Sequence, residues 1–221
     1  MYKMSKKHLV FLCVGVMLLS VTSCGKSQNE GTQNSQTESQ QDAQSTQETE
    51  TETRIEIADA NDILTKVWDT YEAEDSDGDI YNDKFAIMGG HFDTAVMDKP
   101  AKYDLTKTND LELMYCVPQT AIVQIDDAAT MVHLMRASTF TAGSYHVMDV
   151  ANVKAVVDGI KQQIMGNQWL GGFPDEYMIV VVDGQYVVAM LGETEIVDNF
   201  ATTLKSIYGK QAAIWVNENI R

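Results

Sequence analysis

Glu176-Tyr177-Met178-Ile179-Val180-Val181-Val182, then Asp183-Gly184, then Gln185-Tyr186-Val187-Val188-Ala189-Met190-Leu191, is the stretch whose reading decides the fold. Two β-branched, apolar runs separated by Asp-Gly form the strongest short hairpin signal, because both turn positions need positive φ. Both runs are apolar at successive positions instead of alternate ones. A strand that faces water on one side has no need of that pattern. The hairpin therefore belongs inside a sheet covered on both faces.

Upstream, Ser138–Met148 is rich in Thr, Phe, Tyr and Val and reads as a strand. Asp149 caps a helix whose apolar stripe is Val153, Val156, Val157, Ile160 and Ile164, with Gly166 at its exit. Downstream, Thr194 opens a helix with Ile196, Val197, Phe200, Leu204 and Ile207 inward. Glu195 and Asp198 lie near its start, Lys205 near its end and Gly209 beyond, as the helix dipole favours. Ala212–Val216 reads as a closing strand. The order β-α-β-β-α-β predicts an α+β fold with a ferredoxin-like split core over about residues 138–218. Right-handed crossovers put Ser138–Met148 and Gln185–Leu191 in the middle of four strands, with both helices on one face. The second face then needs a cover, either residues 54–137 or a second copy of the chain.

Residues 54–137 are expected to form a helical and irregular extension packed on this core. Asp59 or Asn61 can cap a helix with Ile63, Leu64, Val67, Trp68 and Tyr71 on one side. Lys84–Met88 suggests a short strand, Asn109–Cys116 a short helix, and Pro118 the first turn of another. Ile125–Met135 fits helix and strand periods equally.

The chain has 221 residues and a formal charge of −16, distributed as +3 over residues 1–23, −5 over 24–53 and −14 over 54–221. Such an excess argues against nucleic acid as a partner, since phosphates would be repelled. Lys3, Lys6 and Lys7 precede an apolar run, Leu9–Leu19, that is too short to span a ~30 Å hydrocarbon core. Val21-Thr22-Ser23-Cys24 follows and resembles the lipobox of bacterial lipoproteins. The resemblance implies a signal peptide over 1–23 and a lipidated Cys24 at the start of the mature protein. It also implies a lipid-anchored place on the extracytoplasmic face of the cell membrane. Several acyl chains, each contributing ~0.8 kcal/mol per buried methylene, suffice as an anchor. Residues 24–53, Cys24 and then a run in which Gln, Thr and Ser dominate, read as a polar tether without a core of its own. Residues 54–221 are left as one folded domain. The element order and Tyr115-Cys116-Val117-Pro118 are similar to a family of clostridial lipoproteins with no established activity, over roughly residues 60–216.

With Cys13 removed and Cys24 lipidated, Cys116 is the single remaining thiol, set among Leu113, Met114, Tyr115 and Val117. That setting favours a buried structural cysteine over a nucleophile. Asp75, Asp77 and Asp79 alternate around Gly78 and resemble a calcium loop, but Lys84 stands where the bidentate Glu belongs. A solvated acidic loop, with at most weak Ca²⁺ binding, is the expectation. His91, His133 and His146 have no metal-ligand spacing, so a zinc site would need ligands gathered from distant segments, for example these three. Phosphate loops, nucleophile elbows and Cys-x-x-Cys pairs are missing, which weakens an enzymatic reading. Trp169 and Phe173 lie on a glycine-bearing connection and offer either a recognition surface or a cap folded onto the sheet end.

The expectation is a non-catalytic, membrane-anchored binding module without a cofactor, whose partner is an envelope protein or peptide. The rival is an envelope hydrolase or transferase working through His91, Asp93, His133 or His146. A two-lobed solute-binding protein is disfavoured, because the folded segment is short for two lobes and a cleft.

Overall fold

The computed structural model describes residues 54–74, 86–169 and 172–220. The described residues form a mixed α+β domain, a sheet of eight strands with five α-helices. The strands are β1 (Ile87–Gly89), β2 (Val96–Met97), β3 (Ala101–Lys102), β4 (Ile125–His133), β5 (Phe140–Val147), β6 (Glu176–Val182), β7 (Tyr186–Gly192) and β8 (Ala212–Asn219). The helices are α1 (Ala60–Glu74), α2 (Thr108–Tyr115), α3 (Gln119–Ile122), α4 (Val153–Gly166) and α5 (Thr194–Tyr208). No helix among the described residues is long and apolar enough to cross a membrane.

The hairpin forms as its sequence dictates. β6 and β7 pair antiparallel from Glu176–Gly192 to Val182–Tyr186. Asp183 and Gly184 take φ of 54° and 72°, the double positive turn. Asp149 caps as expected, its carboxylate accepting from the Ala151 N–H at 2.9 Å, although a 3-10 turn precedes α4. Of the two caps considered for α1, Asp59 serves, accepting from the Asp62 N–H at 2.8 Å.

The strand order β2-β1-β4-β5-β7-β6-β8, with β3 also on β4, departs from the ferredoxin-like arrangement. That arrangement sets the last strand beside the first strand of the core. Here β4 holds the place beside β5, through a register running from Ile125–Val147 to Val132–Thr141. β8 therefore pairs with the open side of β6. The helices follow from this order. β5 and β7 run antiparallel, yet both crossovers, β5-α4-β6 and β7-α5-β8, advance the same way along the sheet. With right-handed crossovers, opposite strand directions and one direction of advance send the two helices to opposite faces.

Two separate cores result. Tyr177, Ile179 and Val181 join Val153, Val156, Val157, Ile160 and Ile164 of α4, together with Leu111 and Tyr115 of α2 and Ala121 and Ile122 of α3. Met178, Val180 and Val182 join Ile196, Val197, Phe200 and Leu204 of α5 and Ile63, Leu64 and Val67 of α1. The second face is thus covered from within the chain. α5 supplies half of that cover, and α1, from residues 54–137, the rest. The same segment also extends the sheet with β1 to β4. Ile125–Met135 resolves as a strand to His133; its buried residues fall on both faces, which erased any alternation.

The end of the sheet bearing the Asp183-Gly184 turn is the foot, and the other end is the head. Residues 54–57 join the fold at the foot. The Gln211 side chain holds both backbone groups of Ile55, accepting from its N–H at 2.6 Å and donating to its carbonyl at 3.0 Å. Arg54 pairs with Asp183 at 2.5 Å.

Because the cores lie on opposite faces, damage to them should not couple. Ile160→Val and Ile196→Val should each cost about 1 kcal/mol in urea unfolding, and the double variant should cost their sum to within about 0.5 kcal/mol. A larger departure would reject the two-core description.

Candidate functional site

The three histidines serve three separate places. His91 is buried, donates from Nε2 to Asp110 at 2.8 Å, and accepts the Asp93 N–H at Nδ1. One ring nitrogen thereby caps a short 3-10 turn and the other ties it to α2. His133 ends β4, and its Nδ1 accepts the N–H groups of Met135 at 3.3 Å and Arg136 at 3.2 Å. His146 lies on β5 with Nδ1 2.5 Å from Asp126, its ring tilted against Tyr186 at 4.8 Å. The gathered triad considered for a zinc site is not formed, and no group of three metal-ligating side chains occurs among the described residues.

Asp127, His146 and Tyr186 form one row across β4, β5 and β7 at the foot. Burial raises the Tyr186 hydroxyl, and the charges of Asp127, Asp59, Asp126 and Asp183 add to the rise. Lys102 bridges Asp59 at 3.1 Å and Asp127 at 3.6 Å, which fastens α1 to β3 and β4. Asp126 orients His146 as a base is oriented, yet no hydroxyl or thiol among the described residues hydrogen-bonds to that ring. A groove of about 630 Å³ opens nearby, lined by Arg54, Asp183, Tyr208 and Gln211 among others, and no histidine lines it. Cys116 is buried, its thiol pushed up to about 11 by burial against the opposing amide of Asn167. It caps α2 in a left-handed conformation, so its place is structural.

The head carries a different surface. Turned by the two N–H bonds to His133, residues 134–137 are exposed, with Leu134 42% and Met135 82% accessible. At the same end of the sheet, on the segment leading into β6, Phe173 is 52% accessible. Contact between the loops is close: a Cβ at Gly172 would lie 2.9 Å from the Ser138 hydroxyl, at a φ of 148° that only glycine readily takes. Two backbone bonds stitch the lead-in of α5 to both loops, Glu193 N–H to Thr139 at 3.0 Å and Asp175 N–H to Gly192 at 2.9 Å. The two aromatics expected to act together divide. Trp169 is partly buried against the α4-side core, whereas Phe173 stands out.

Leu134 and Met135 escaped the sequence reading because they continue the apolar run of β4; Leu134 still bonds Ala86 through its N–H, and the His133 bonds mark the turn that follows. Cys24 and the acidic loop Asp75, Asp77, Asp79 lie outside the described residues. No family model, curated protein or solved structure matches this chain.

Glu176 begins β6 at the head and is buried. Its carboxyl titrates above the usual range because of burial and then the charge of Asp198, against a hydrogen bond from Thr194. A raised acid favours the folded state while protonated, and that contribution is lost as pH climbs through the folded value. Glu176→Gln should therefore raise the melting temperature at pH 7 and change it little near pH 4. An equal shift at both would show that ionisation is not the cause.

Proposed function

We propose that this chain is a lipid-anchored, extracytoplasmic interaction module of the bacterial envelope, held at Cys24 and contacting a protein or peptide partner through the head. What carries the reading is the exposure of Phe173, Met135 and Leu134 at one end of the sheet, with His133 holding the turn that bears Met135. Large apolar side chains exposed together at one end favour recognition over catalysis. The foot groove holds no histidine, and each histidine is committed to a local partner. No cofactor takes part. Weak Ca²⁺ contact through Asp75, Asp77 and Asp79 is a separate proposal, tested by calorimetric titration.

The Asp126–His146 pair favours one rival, an envelope hydrolase or transferase with His146 as general base. Its weakness is the lack of a nucleophile bonded to that ring among the described residues.

Two measurements bear on the main reading. Cys24→Ser should move the protein from the membrane to the soluble fraction, and retention after an alkaline wash would reject the anchor. A photoreactive benzoylphenylalanine at position 173 should give a discrete adduct in intact cells, while one at position 154, exposed on α4, gives none. Equal adducts from both positions would reject the head as the contact surface.

A further inference from the structure

We infer that the head binds a cationic amphipathic segment of a partner protein, one with apolar side chains flanked by Lys or Arg. This rests on the reading of the head as the contact surface and adds the chemistry of what it contacts.

Three stitched segments make up the surface, residues 134–139, 172–176 and 192–198. They carry five acids, Asp175, Glu176, Glu193, Glu195 and Asp198, against one base, Arg136. Glu176 is buried, while Asp175, Glu195 and Asp198 are exposed and Glu193 half-buried. The charge is not scattered. Asp175 and Glu193 lie on the residues whose N–H groups bond Gly192 and Thr139, which places them next to the loops bearing Phe173 and Met135. Leu134, Met135 and Phe173, exposed on these segments, make up the apolar part of the head, and the five acids of the same segments make up its acidic part.

Each part of this surface selects a feature of the partner. The apolar part asks for Leu- or Phe-type side chains, and Met135, unbranched and polarizable, adapts to several shapes. The acidic part repels an acidic segment and draws a basic one, raising its rate of encounter. A second copy of the chain would bring the same acidic part against itself and be repelled. A phospholipid surface offers no excess of positive charge to match it.

The test uses the full-length protein in mild detergent with two synthetic amphipathic peptides of equal apolar content, one of Leu and Lys and one of Leu and Glu. Fluorescence anisotropy should show micromolar binding of the Leu/Lys peptide and none of the Leu/Glu peptide. Phe173→Ser with Met135→Ser should weaken binding at least tenfold. Glu193→Gln and Asp175→Asn should each weaken it about two- to fivefold and flatten its salt dependence. Circular dichroism on each variant shows that the fold is kept. Binding of both peptides, lost in the Phe173 and Met135 variant, would overturn the cationic partner and leave the head as contact surface. Leu/Lys binding that survives in that variant would reject the head itself. Failure of the Leu/Lys peptide to bind would overturn the inference, as would sedimentation showing a dimer that Phe173→Ser dissolves. Cosedimentation with zwitterionic vesicles that depends on Phe173 would assign the surface to lipid and overturn it as well.

Discussion

Every side chain of β6, from Glu176 to Val182, is buried, and five of those seven, Met178 to Val182, are wholly apolar. Apolar area on both faces of one strand has to be removed from solvent twice, at roughly 25 cal/mol per Å² each time. Two layers of helices are the consequence, and the chain builds them by passing its crossovers to opposite sides. α4 could not be moved to the face of α5 without exposing Tyr177, Ile179 and Val181 together. The placement of β4 beside β5 belongs to the same constraint, because it leaves β8 only the edge at β6. Sheet order, helix placement and the two cores thus descend from one fully buried strand.

The sequence reading reached the elements better than their partners. Spacing in Val153, Val156, Val157, Ile160 and Ile164 located α4, and Asp183-Gly184 located the turn, because both signals are local. Strand neighbours are not local. Whether the last strand goes beside β5 or β6 depends on whether β4 has already taken the first place, and β4 itself carried no readable period. The apolar character of both hairpin faces did announce the second layer, although its main helix, α5, had been placed with α4 on the first.

The head shows how little of a surface is written in any one segment. Phe173 was visible as an aromatic on a glycine-bearing connection, and its neighbour Gly172 now explains why that connection lies so near Ser138. Leu134 and Met135 were not visible, because an apolar residue following a strand has no sign of its own. A histidine at the strand end, accepting two N–H groups, marks the turn on which they are displayed. His133, considered for chemistry from its side-chain type alone, sets the course of the chain instead, as acceptor of two backbone N–H groups.

The clamp of Gln211 on Ile55 has a mechanical consequence. Under the proposed anchoring, with a partner gripping Phe173, the domain would be pulled from its two ends. Tension then arrives at Arg54 and Ile55, passes to Asp183 and Gln211, which are joined by an N–H to carbonyl bond of 2.7 Å, and leaves at the far end of the sheet. That line of force runs along the strands, while the hydrogen bonds between strands run across it. Phe173 precedes β6 and Asp183 follows it, so load through Asp183 runs down β6 itself, while load through Gln211 enters β8 and reaches β6 as shear shared along their ladder, not by unzipping one pair at a time.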